Sequence, residues 1–132
     1  MDVKFFKLSV VYLAIGICMG LVMGITENFT FAPVHAHVNL LGWASLALAG
    51  AIYRLYPRAA QSKLAKVHFW LHNLGLPVFM VLLFLLLSGY KSLAPGVGIA
   101  ATVTGLGILV FVVNVLLNVK SIADTGNQSR YI

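Results

Sequence analysis

Four histidines are the residues of this chain best suited to chemistry in an apolar setting: His35, His37, His68 and His72. The first two stand in residues 34–43, Val-His-Ala-His-Val-Asn-Leu-Leu-Gly-Trp, at the head of a long apolar run. Burying an imidazole in lipid is costly, so an ionisable residue there marks function by default. Asn39 follows His35 by one helical turn. On a helix, residues i and i+2 point about 200° apart, so His35 and His37 cannot share a site on one face. Each must serve a different neighbour. His68 and His72 are at i and i+4 and do share a face. Neutral imidazoles can ligate haem iron, copper or zinc. The bland alternative is a ring held at the membrane interface by water and headgroups. His72 could also join a polar cluster with Asn73.

Other chemistry is scarce. The only acids are Asp2, Glu27 and Asp124, so a carboxylate proton relay has no members, and no residue is assigned a catalytic role. Cys18 is the single cysteine and reads as a small apolar residue; no CxxCH is present, which excludes c-type haem attachment.

The elements that must position the histidines follow from composition. Of the 132 residues, 61% are hydrophobic and 9% charged, an apolar excess that one small soluble domain could not hide. The net charge of +6 sits mainly in short segments between apolar runs, the positive-inside pattern rather than a nucleic-acid surface. Spans are expected at about 5–25, 34–56, 67–89 and 96–119, each near the roughly 20 residues that cross a bilayer. The fold class is therefore an all-α membrane protein with one four-helix domain. The loop 26–33 has no Lys or Arg and belongs outside, whereas the basic, polar loop Gln61–Lys66 belongs inside, so both termini are expected to be cytoplasmic. Residues 120–132 read as a mobile polar tail.

Smaller signals decorate the spans. Gly16, Gly20 and Gly24 form two overlapping GxxxG patterns, a groove for another helix or for a flat ligand. Pro33 suits a helix start, and Pro77 should kink the third span. Tyr53-Arg54-Leu55-Tyr56 reads as an interface belt, and Trp43 and Trp70 as belt or packing residues. Gly98, Ala101 or Thr102, and Gly105 form a small-residue stripe on the fourth span, and Asn114 and Asn118 are polar near its inner end.

This topology separates the histidines into two levels. His37 is about 28 Å of helix from Tyr56, and His72 about 9 Å from Lys66. An outer pair and an inner pair are expected. If one outer imidazole faces the bundle, a partner subunit should cover the other, and a closed ring of subunits would bring His35 of one protomer to His37 of the next.

The stretch His35-Ala-His-Val-Asn-Leu-Leu-Gly-Trp43, closing with Ala51-Ile-Tyr-Arg-Leu-Tyr-Pro57, resembles the second transmembrane helix of haem–copper oxidase and nitric oxide reductase large subunits. There a histidine in an H-x-N-L context is an axial ligand of the low-spin haem, and it matches His37. The H-x-H pair is similar to a later helix of those subunits whose histidines ligate two different haems. Lys66-Val-His-Phe-Trp-Leu-His-Asn-Leu-Gly75 resembles a further helix of the same family. The resemblance covers two of the four spans. The family has about twelve helices in three arcs of four, and this chain has one arc, without the copper-site histidine–tyrosine pair. The resemblance thus implies a homotrimer mimicking the twelve-helix ring.

The implied function is a b-type haem protein of the bacterial inner (cytoplasmic) membrane, a multi-pass homo-oligomer in lipid. His35 and His37 would be iron ligands, with Asn39 and Gly42 beside the cofactor. Electron transfer would involve a quinol or a redox partner protein. A weakly held ligand would make it a nitric oxide or oxygen sensor or reductase. The competing reading is a copper- or zinc-binding or oxidase-assembly protein without catalysis, with His68 and His72 as a second metal site.

Overall fold

The computed structural model describes residues 1–120. Four helices are long and apolar enough to cross a membrane. They are the first helix, Asp2–Thr26; the second, Ala32–Leu55; the third, Lys63–Leu87; and the fourth, Ala94–Asn118. A single turn, Pro57–Gln61, joins the second to the third, and a 3₁₀ turn, Lys91–Leu93, precedes the fourth. The described residues are all-helical, an architecture consistent with a multi-pass membrane protein. The expected tail lies outside the described residues apart from Lys120.

The first helix begins three residues before its expected span, the second and fourth two before, and the third four before. Lys4 in the first helix and Lys63 and Lys66 in the third account for the larger differences, while Ala32-Pro33 and Ala94-Pro95 start the second and fourth. Hydropathy registers the apolar core, whereas the helix continues into polar residues whose long stems can reach water. Local chemistry sets the ends. The Ser62 hydroxyl accepts from the Ala65 N–H at 3.0 Å and caps the third helix. Proline occupies the first turn at Pro33 and Pro95. Gly89, at φ 112°, turns the chain after the third helix. The third helix continues through Pro77.

The first helix packs on the second, and the third on the fourth, but the first and fourth do not pack side by side. In lipid there is no hydrophobic drive between helices, so close packing at small residues holds such contacts. A Cβ on Gly42 would lie 2.5 Å from the Tyr12 ring, and one on Gly107 2.8 Å from the backbone nitrogen of His72. The stripe expected on the fourth helix is not the one used. Gly98 and Gly105 have open space beside them, while Ala100, Thr104 and Gly107 are buried. That buried face continues to Asn114, which needs hydrogen-bond partners that only the interior supplies.

Two ends can be named. The terminal end carries Met1, the Pro57 turn and residue 120; the loop end carries residues 27–31 and 88–93. A core of Phe5, Leu46, Ala49, Tyr53, Ala59 and Ala65 lies toward the terminal end. A second, built on Val34, Val38, Leu76 and Phe79, lies toward the loop end.

One feature was absent from the sequence reading. Within the second helix, Val38–Ala44 is π-helical. Such segments are rare and are frequently found at functional sites.

Candidate functional site

The histidines form two groups with different chemistry. His35 and His37 both lie in the α-helical turn Ala32–His37 and leave it in different directions. His35 packs on the first helix: a Cβ on Gly20 would lie 3.1 Å from its Cε1. Asn39 anchors it from below, donating Nδ2–H to the His35 carbonyl at 2.8 Å, with the same nitrogen 3.4 Å from His35 Nδ1. His37 turns toward the third helix, its ring edge-on to Phe79 with centroids 5.1 Å apart. Both rings are half-buried against neighbours in their own chain. Neither is the wholly outward-facing imidazole that a four-helix bundle led us to expect.

His37 has a defined tautomer. Its Nδ1 lies 2.7 Å from the Pro33 carbonyl oxygen, which can only accept, so Nδ1 carries the proton. The lone pair is then on Nε2. A ring oriented by a backbone carbonyl, with its other nitrogen free, is the arrangement of metal-ligating histidines. His37 therefore fits a haem iron or another metal. Because the rings diverge, one protomer does not offer both as ligands to a single iron.

Room for a flat cofactor beside the glycines does not fit. Asn39 fills the notch at Gly16, where a Cβ would lie 2.5 Å from its amide, and Tyr12 covers Gly42. Gly24 alone of the GxxxG glycines has open space. Between the first and third helices runs an open apolar groove of about 510 Å³, with Val34 and Val38 among its lining residues and no histidine in its walls.

The second group is a buried chain of hydrogen bonds that sequence reasoning saw only in part. His72 Nε2 lies 3.0 Å from the Leu41 carbonyl oxygen, His68 Nε2 3.2 Å from His72 Nδ1, and the Tyr53 hydroxyl 2.9 Å from His68 Nδ1. Asn114 Nδ2 donates to the Tyr53 oxygen at 3.2 Å and to the Ala59 carbonyl at 3.0 Å. Ser62 Oγ and Asn118 Nδ2 both donate to Asn114 Oδ1. Tyr53, His68, His72 and Asn114 are each at most 2% exposed. His68 stacks on Phe5 and packs at a tilt against Phe111.

One end fixes the direction of every bond. Leu41 offers only an acceptor, so His72 donates from Nε2 and accepts at Nδ1. His68 then donates from Nε2 and accepts at Nδ1 from the Tyr53 hydroxyl. All three groups are satisfied in their neutral forms. An amide closes each end, and amides do not pass protons on, so the chain is a strut rather than a conduit. It reaches from Tyr53 to Leu41, about 18 Å of helix rise. The pair expected near the inner edge thus extends to mid-span, and His68 is enclosed rather than held at an interface. Tyr53, read as a belt residue, is interior. His72 bonds Leu41 and His68 rather than Asn73, whose Nδ2 bonds the Phe69 carbonyl.

Every ring nitrogen of His68 and His72 is engaged, so a metal there would have to break the strut. Among the described residues no group of three or more His, Cys, Asp or Glu side chains is placed to hold a metal ion. Fold and site together define an all-helical protein with four helices long enough to span a membrane, one engaged histidine pair, and a His37 Nε2 with no hydrogen-bond partner among the described residues. No protein-family model, curated protein or solved structure matches the chain.

Proposed function

We propose that this chain is a multi-pass membrane protein in which His37, together with His35 of a neighbouring protomer, would hold haem b. The observation that carries this reading is the Pro33 carbonyl on His37 Nδ1, which leaves a fixed lone pair on Nε2. The divergence of His35 and His37 keeps one protomer from offering both rings to a single iron, so the second ligand would come from a neighbouring protomer. The helix order supports it too: the first and fourth helices leave an open arc rather than a closed bundle. Three arcs would close a twelve-helix ring, so the assembly is a homotrimer.

Haem held by two imidazoles supplies reversible one-electron transfer without an open coordination position. His37 binds iron, Pro33 fixes its tautomer, and Asn39 holds the His35 turn. The donor or acceptor is a membrane quinol or a redox protein. Lys4, Lys7, Arg54, Arg58, Lys63 and Lys66 gather at the terminal end, against Lys91 alone at the loop end among the described residues. By the positive-inside rule the termini are cytoplasmic, in a bacterial inner membrane.

The test is a reduced-minus-oxidised visible spectrum of protein purified from haem-replete cells. Sharp low-spin bands are expected. They should be lost in both His35→Ala and His37→Ala and kept in Tyr90→Phe. Full haem retention in His37→Ala overturns the assignment, as does a haem-loaded monomer in mild detergent. Bands that shift with carbon monoxide or nitric oxide would instead make the protein a gas sensor or reductase.

A further inference from the structure

The π turn and the buried strut meet at one atom, the Leu41 carbonyl oxygen. In an α-helix this oxygen would accept from the Ser45 N–H, four residues on. Here the Ser45 N–H bonds Leu40, five residues back, and the Ser45 hydroxyl donates to the same Leu40 oxygen at 2.8 Å. Leu41 has lost its α-helical donor, and His72 Nε2–H takes that place from the third helix at 3.0 Å. A backbone carbonyl left unpaired in lipid is strongly unfavourable, so the donor and the π turn depend on each other.

We infer that His72 is a positioning residue for His35 and His37: its Nε2–H holds the Leu41 carbonyl, stabilises the π turn and so fixes the rotational phase of the histidine-bearing turn. A π turn amounts to one extra residue in the helical pattern, and each residue of an α-helix accounts for about 100° of rotation. Without the turn, the Ser45 N–H returns to Leu41 and the segment on the loop side rotates by about that angle relative to Tyr53. His37 would then leave Phe79, and His35 would leave Gly20.

The rest of the structure holds His72 in place for this task. Gly107 brings the fourth helix against its backbone nitrogen. The Leu41 carbonyl, which only accepts, sets the proton on Nε2, and His68 Nε2–H donates to the lone pair left on Nδ1. The inference takes its functional meaning from the haem reading, but its test needs no haem.

Disulfide trapping reads the phase. In a Cys18→Ser background, Phe79→Cys is paired in turn with Ala36→Cys, His37→Cys and Val38→Cys and oxidised in detergent. With His72 present, the 37–79 pair should cross-link fastest. His72→Leu and His72→Phe remove the donor at two different volumes, and in either the fastest pair should become 36–79 or 38–79. His72→Gln places an amide N–H where Nε2–H lies and should restore 37–79. Unchanged preference for 37–79 in a folded Leu or Phe variant overturns the inference, and so does a Gln variant that shifts as they do. The cross-linking readout does not require haem, so a failure of the haem proposal leaves this result standing, and the reverse also holds.

Discussion

Replacing Tyr53 by phenylalanine removes one hydroxyl and leaves the ring in place. The ring packs against Phe5 and Phe111, at centroid distances of 5.4 and 5.7 Å, and those contacts survive, so no cavity opens. Asn114 keeps the Ala59 carbonyl as an acceptor. The loss falls on His68 Nδ1, which accepts only from Tyr53 and belongs to a side chain 1% exposed. His68 cannot escape by exchanging tautomers, because Leu41 sets the direction of the chain from the other end. An unpaired buried acceptor costs about 1–3 kcal/mol in soluble proteins. In bilayers the unfolded reference also finds partners, and measured bonds average about 0.6 and reach about 1.7 kcal/mol. Tyr53→Phe should therefore cost about 1–1.7 kcal/mol in SDS-driven unfolding from mixed micelles. A cycle with His68→Leu isolates the bond. His68→Leu already strands the Tyr53 hydroxyl, so the double variant should cost about 1 kcal/mol less than the sum. A cost for Tyr53→Phe below about 0.5 kcal/mol, the range of unremarkable surface changes, would refute the strut as a stabilising element.

Glycines on the fourth helix should separate by face in the same unfolding assay. Gly107→Ala meets the His72 backbone, which cannot give way, and should cost about 1–3 kcal/mol, whereas Gly105→Ala meets nothing within 4 Å and should be neutral or gain up to about 1 kcal/mol. Ser62→Ala removes both the cap of the third helix and a donor to Asn114, and should cost about 0.5–2 kcal/mol, with faster amide exchange at Ala65 as the local readout. Pro77→Ala supplies the N–H that the Asn73 carbonyl lacks. It should recover part of the roughly 3 kcal/mol that proline costs a helix interior and raise the melting temperature.

The four helices were legible because lipid imposes a simple condition, about 20 apolar residues with every backbone group paired inside the segment. His68 and His72 were legible as a pair, since i, i+4 spacing puts them on one face whatever surrounds them. The divergence of His35 and His37 was legible for the same reason. Their neighbours were not. Asn114 is 61 residues from Tyr53, and nothing in either local pattern announces the other. Tyr53 beside Arg54 looks like an interface belt until the third and fourth helices close over it. The π turn left no trace either. Periodicity over seven residues does not resolve one extra residue per turn, and the segment Val38–Ala44 carries no proline to mark it.

The two histidine pairs illustrate why residue type alone assigned the wrong emphasis to their surroundings. A ring nitrogen is available for a ligand only if nothing else occupies it, and occupancy is a property of contacts. His68 and His72 have spent all their nitrogens on Tyr53, Leu41 and each other. His37 has spent one, on the carbonyl of the proline that begins its own helix, and that bond leaves the other nitrogen ligand-ready. The strut accounts for the difference in a physical way. It fixes a carbonyl four residues beyond His37 and so couples the buried pair to the direction in which the free pair points. The chemistry proposed at the loop end therefore depends on polar groups that never touch it, and the cost of burying those groups is offset by the bonds they make to one another.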